Sequence, residues 1–246
     1  MDPCLRSSAW LAGLLLLASA TAAAASPARQ PAFHAADFAA GQAVDNAFLP
    51  LLPGTRLVYH TRDAGGRLTQ VITVTVTQAR RQIAGVDCIV VEDVVATAGD
   101  GAPVESTKDY YAQDRAGNVW YFGEDTATLA GGKIVSWKGS WLAGTKGAAP
   151  GLMMPAAPRL GDSYRQENAP GVAEDAAEIT ALDGTACVPF GQRCFDRLLV
   201  TLETSALEPD ARETKSYARG IGQIAGKDLE TGERDELVSI ARPGGP

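Results

Sequence analysis

Strand-like apolar runs recur along the chain between turn signals, and the best of them alternate with polar positions at a period of two, the spacing of strands whose successive side chains point to opposite faces. The clearest case is Ile72-Thr-Val-Thr-Val76, inside a strand expected over 68–79. Comparable runs predict strands at 55–61, 86–95, 105–113, 119–122, 133–138, 163–166, 176–182, 195–203, 214–219, 222–228 and 233–240. Turn residues separate many of them, as in Asp63-Ala-Gly-Gly66, Gly99-Asp-Gly101, Asp114-Arg-Ala-Gly-Asn118 and Gly131-Gly132. Short strands joined this way read as a meander, and helical periodicity is hard to find. The expected fold is all-β: a single strongly curved antiparallel sheet or partial barrel over 48–241, carrying one long apolar loop.

That loop covers residues 139–163, with five Gly, three Pro and no period. Loops beyond about 12–15 residues are usually lids, binding segments or disordered, and the large apolar side chains here argue against disorder. Immediately before it, residues 109–141 collect Trp120, Trp137, Trp141, Tyr110, Tyr111 and Tyr121. Aromatic side chains bury about 150–250 Å² each, so this ribbon belongs at the centre of the core. Together the two stretches suggest an apolar hollow lined by Trp120, Phe122, Trp137 and Trp141, with Leu152, Met153 and Met154 across its mouth. Its occupant is then an apolar small molecule or lipid-like ligand. An envelope protein docked on an exposed strand edge is the other partner in view.

Composition places this domain in a compartment. Arg6 followed by the apolar run Ala9–Ala18 and small residues near Ala22 and Ala25 reads as a signal peptide over 1–25. The run is shorter than the roughly 20 residues a membrane helix needs, so no stable membrane span is expected and the protein is periplasmic or secreted. Residues 26–47, rich in Ala and Pro, read as a flexible N-terminal tail, and 242–246 as a disordered C-terminus. A net charge of −7 with scattered Lys and Arg argues against nucleic acid. Beyond Cys4, three cysteines remain. Cys187 and Cys194 flank a hairpin-like loop and are the expected disulfide, with Cys88–Cys194 the competing pairing.

Catalytic chemistry finds thinner support. Glu124 or Asp125 could face Glu167 or Glu174 across a cleft, the two-carboxylate arrangement of a secreted carbohydrate-active hydrolase. Solvated acids at strand ends are the more economical explanation, and the leading reading is a non-catalytic binding protein. Asp114, Asn118, Glu124 and Asp125 are oxygen donors of the kind Ca²⁺ accepts, but their spacing suits a hairpin turn better than a metal loop. No nucleophile elbow and no phosphate-cradling glycine loop is found, so neither a metal nor a cofactor is expected.

The stretch YYAQDRAGNVWYFGEDT, Tyr110 to Thr126, resembles a family of secreted bacterial β-rich proteins. So do Gly139-Ser-Trp141, Met154-Pro155, the run Gly161 to Glu167 and the run Ala169 to Asp175, with similarity extending over about 48–240. The resemblance implies an exported, mostly antiparallel β protein, related by fold to curved-sheet periplasmic proteins that hold apolar groups; it carries no activity. Family members commonly have a cysteine where this chain has Leu198, so Cys187 and Cys194 look like local additions.

Overall fold

Tight turns and alternating β-branched residues build a long meander. The computed structural model describes residues 32–244. Its strands are Val44–Asp45 (β1), Pro50–Leu51 (β2), Arg56–Arg62 (β3), Leu68–Ile83 (β4), Val86–Thr97 (β5), Pro103–Gln113 (β6), Val119–Ala130 (β7) and Lys133–Ser136 (β8). They continue as Trp141–Leu142 (β9), Gly151–Met154 (β10), Ser163–Arg165 (β11), Asp175–Val188 (β12), Arg193–Ser205 (β13), Arg212–Ala218 (β14), Gly222–Asp228 (β15) and Arg234–Ala241 (β16). Among the described residues, helix is confined to two short 3₁₀ turns, Ala35–Asp37 and Phe190–Gln192.

All but β1 and β2 join one antiparallel sheet of 14 strands, ordered β10-β7-β6-β5-β4-β3-β16-β15-β14-β13-β12-β11, with β8 and β9 also on β7. Strands early and late in the chain, β3 and β16, therefore pair in the middle of the sheet. The sheet is not closed into a barrel, but it bends until its two edges approach each other. The amide of Ala149 donates to the carbonyl of Asn168 at 2.9 Å, and Gly151 lies directly against the backbone of Gln166.

The meander expected from the pattern is present, and most strands run longer than it indicates. The loop expected over 139–163 is partly strand. β9 and β10 both hydrogen-bond to β7, held by backbone groups that leave no periodic mark in sequence. Residues 32–47, read as a flexible tail, are packed instead. Phe33 and Phe38 meet Trp120 and Phe122 edge-on at centroid distances of 5.6–6.2 Å, and Val44 is fully buried. Burial of these aromatic faces, with Val44, offsets part of the entropy that the segment loses by ordering. The 1–25 reading, residues 26–31 and residues 245–246 lie outside the described residues. Of the segment 242–244, Arg242 donates to the carbonyl of Gly220 and Pro243 covers Gly54.

Candidate functional site

Strand parity decides which side chains face inward. Val91 and Asp93 on β5 register with Asp109 and Thr107 on β6 and with Val76 and Val74 on β4, placing all six on one face. Leu57 and Tyr59 on β3 continue that face, as do Asp235 and Leu237 on β16 and Lys215 and Tyr217 on β14. The bend of the sheet turns this face inward around a hollow of about 340 Å³. One wall is apolar, with Leu51, Leu57, Ile72, Val74, Val91 and Met153; the other carries Asp93, Asp109, Glu213, Lys215 and Asp235, with Tyr59, Tyr111 and Tyr217 between.

The polar wall is built around one half-buried cation. Lys215 Nζ pairs with Glu203 at 2.7 Å and with Glu213 at 3.5 Å. Burial works against this ammonium, but the two carboxylates outweigh it and hold its pKa well above the ordinary lysine value. Glu203 also accepts from Gln166, Thr201 and Tyr217, so its lone pairs are well used. Asp93 is the exception. Its Oδ1 is buried without a hydrogen-bond partner among the described residues, and burial, followed by the charges of Asp109, Glu105 and Asp235, pushes its pKa up to about 7. Leaving a buried acceptor unmatched costs about 1–3 kcal/mol, so Asp93 is a place where a donor would be stabilised.

Beside the hollow lies a second acidic group. Asp109 and Glu124 are register partners across β6 and β7, and the Tyr121 hydroxyl donates to Asp109 at 2.6 Å. Burial pushes Asp109 up to about 6, against the lowering effect of Tyr121. It pushes Glu124 up to about 8, helped by the charges of Glu167 and Asp109. Glu167 also rises to about 8, through burial and then Asp175. Trp141 Nε1 makes no well-formed hydrogen bond, yet it is near enough to Glu167 to oppose part of that rise.

The expected site residues separate. Met153 borders the hollow. Trp120 and Phe122 do not, because they sit one residue out of phase with Tyr121 and project to the opposite face, under Phe33 and Phe38. Trp137 is 57% exposed beyond β8, away from any lining role. Leu152 and Met154 are buried core side chains that pack rather than cover a mouth. Trp141 packs edge-on against Tyr121 at 5.5 Å and borders a shallow outer pocket with Leu142 and Val172. Of the four acids, Glu124 and Glu167 are brought together, although neither borders the hollow. Asp125 instead binds Arg81 and the Tyr110 hydroxyl, both at 2.6 Å, and Glu174 accepts from the amide of Gly171.

Asp114 is spent on its own hairpin: its carboxylate accepts from the Asn118 amide, the Asn118 side chain and Trp120 Nε1, which accounts for this residue pair without a metal. Among the described residues no group of three or more His, Cys, Asp or Glu is arranged to hold a metal ion. Cys187 and Cys194 are register partners and are bonded. Cys88 is a buried free thiol whose pKa burial pushes up to about 12, far from a reactive cysteine.

Sequence reasoning missed Asp93, Asp109, Lys215 and Asp235. The signal was available: each is a charged residue at a position whose neighbours two away on the strand face inward, as in Val91-Glu-Asp93 and Lys215-Ser-Tyr217.

No family model and no curated protein matches the chain. Among solved structures it is similar to a protein from Bacteroides fragilis described as exported and having a YmcC-like fold, at 16% identity and a TM-score of 0.49, covering 80% of this chain and 100% of that one. It is also similar to a protein from Parabacteroides distasonis described as a lipoprotein, at 12% identity and a TM-score of 0.42, again covering 80% and 100%. A third is a β-barrel-like protein of a domain of unknown function from Brucella abortus, at 10% identity, a TM-score of 0.39 and coverage of 79% and 99%. Likenesses of this strength carry no argument about what this chain does.

Proposed function

We propose that this protein is a non-catalytic binder of a compact amphipathic molecule, held in the hollow with its apolar body on the Leu57–Ile72–Val74–Met153 wall and a hydrogen-bond-donating end at Asp93. The observation that carries this reading is the unmatched Asp93 oxygen in a cavity whose other acids each have a partner: Asp109 accepts from Tyr121, Asp235 from Thr61, and Glu213 pairs with Lys215. An amine is the donor best suited, because it would neutralise an aspartate surrounded by Asp109, Glu105 and Asp235. The volume, about 340 Å³, lies at the small end of ligand sites and suits a body of one or two rings or a short chain rather than a whole lipid. The Cys187–Cys194 disulfide is chemistry of an oxidising compartment, in line with a periplasmic or secreted protein.

The test uses dansylcadaverine, an amine with an apolar fluorophore, titrated into the purified chain. Saturable binding that weakens at least tenfold in Asp93→Asn and disappears in Met153→Trp, which fills the hollow, is the expected result. Undiminished binding in both variants would overturn the reading. A second reading, hydrolysis of a glycan by Glu124 with Glu167, has chemistry against it: burial raises both carboxyls to about 8, which leaves neither as the ionised base or nucleophile that a two-carboxylate mechanism needs. Activity on a glycan panel that is lost in Glu124→Gln would establish it.

A further inference from the structure

A second cleft lies outside the hollow, and its chemistry is of opposite sign. It measures about 900 Å³ and is bordered by Arg159, Arg193, Arg197 and Arg219 above a floor that includes Phe48 and Phe195. The four arginines come from three places in the chain: the β10–β11 connection, the start of β13 and the β14–β15 turn. In a chain of net charge −7 such convergence is not a sampling of average surface. Asp196 is the acid that borders the cleft, and it pairs with Arg197 at 3.6 Å. The guanidinium groups of Arg159, Arg193 and Arg219 have no ion pair or side-chain hydrogen bond among the described residues.

Two of these cations are held in place by rings. Arg193 lies over Phe195 at 4.4 Å and Arg219 over Phe48 at 4.7 Å. Stacking occupies the face of a guanidinium and leaves its in-plane N–H edge free, the edge that grips an oxyanion in bidentate fashion. The β12–β13 hairpin that carries Arg193 is itself fastened by the Cys187–Cys194 bond, and Cys194 borders the cleft. A bulge follows, where Arg197 adopts a left-handed backbone conformation at φ 52° and turns its side chain to the same rim.

We propose that this cleft binds a net-anionic amphipath with a terminal phosphate: the phosphate oxygens are gripped by Arg159, Arg193 and Arg219, and the adjoining apolar part lies on Phe48, Phe195 and Ile221. Ile221 also borders the hollow, so the cleft and the hollow are neighbours that share this one lining residue and differ in charge. The inference does not depend on the hollow having an occupant.

The experiment is isothermal titration of the full chain with dihexanoyl phosphatidic acid below its micelle concentration. Dihexanoyl phosphatidylcholine (the same chains without net charge) and glycerol 3-phosphate (the head without chains) are titrated in parallel. Phosphatidic acid is expected to bind at least tenfold more tightly than either, with affinity falling as salt rises. The double variant Arg193→Gln/Arg219→Gln is expected to lose at least tenfold, and Arg159→Gln, whose guanidinium is stacked on no ring, severalfold at an unchanged melting temperature. Equal binding of phosphatidylcholine, or undiminished binding in both variants, would overturn the proposal. Glycerol 3-phosphate binding as tightly as the lipid would remove the apolar half of it. Dansylcadaverine binding to the same variants separates this site from the hollow, because its affinity should not change.

Discussion

Single residues without side chains decide how tightly this sheet can fold back on itself. Gly123 has φ 117°, a conformation rarely open to other residues, and a Cβ there would lie 2.2 Å from the carbonyl oxygen of Trp141. It sits at the β7 irregularity that brings both Tyr121 and Glu124 to the inner face, so its backbone freedom and the placement of the acidic group are one feature. Gly151 has an ordinary φ, but a Cβ would lie 2.0 Å from the Gln166 carbonyl, at the point where the two sheet edges meet. Gly123→Ala and Gly151→Ala should each destabilise by at least about 2 kcal/mol, from strain and forced separation of the backbones. At this chain length that is a melting temperature lower by about 4–8 °C in a thermal scan. Gly131→Ala is the control, since its φ is also positive but nothing lies within 4 Å of the added carbon. Its loss should be clearly smaller; equal losses at 123 and 131 would show that close packing is not what matters.

Elements tell how far the sequence could be read. The strands of the meander were legible because one face is buried and the other wet, so a period of two survives in Ile72-Thr-Val-Thr-Val76 and its like. β9 and β10 were not, because two- and four-residue strands joined through Gly and Pro leave too few positions to show alternation. The order in the N-terminal segment was hidden for a different reason: Phe33 and Phe38 are stabilised by Trp120 and Phe122, more than 80 residues on, and no local pattern encodes that. Most of the aromatic ribbon lies in the core, but Trp137 is exposed, and the pattern did not separate the ribbon's two faces. Trp120 and Phe122, expected to line the hollow, project instead to the opposite face. Two predictions belong here. Phe33→Ala/Phe38→Ala should destabilise by about 3 kcal/mol, seen as a lower denaturation midpoint, if the segment is part of the core. Cys187→Ser/Cys194→Ser should cost about 2–3 kcal/mol in the chain-entropy account, and the same loss should appear on adding reductant to the parent chain. No change with reductant would mean that the hairpin is fixed without its bond.

The whole molecule bends its most crowded carboxylates into one interior, and this gives its stability a pH dependence of definite sign. Asp93 is pushed up to about 7, Asp109 to about 6, and Glu124 and Glu167 to about 8, chiefly by burial in the bent sheet. In the unfolded chain the same groups titrate near 4. A group whose pKa is raised on folding binds its proton more tightly in the native state. Its contribution is complete below pH 4 and is lost as the pH rises through the folded value. Asp63, Asp100 and Asp228 move the other way, through hydrogen bonds to backbone and side chains, but as exposed groups lowered below the ordinary value they act at more acid pH. Between pH 4 and pH 8 the interior acids therefore prevail, each ionisation opposed by burial and by its charged neighbours. The melting temperature should be higher at pH 5 than at pH 8.5, the reverse of a protein whose acids are paired with surface cations. Glu124→Gln/Glu167→Gln keeps the shape of both side chains and removes their charge. It should match the parent at pH 5 and exceed it at pH 8.5 by at least about 2 °C, on the scale of about 2–4 °C per kcal/mol for a domain of this size. A parent curve that is flat or rises from pH 5 to pH 8.5 would show that these carboxylates reach solvent, and that the bend of the sheet does not enclose them.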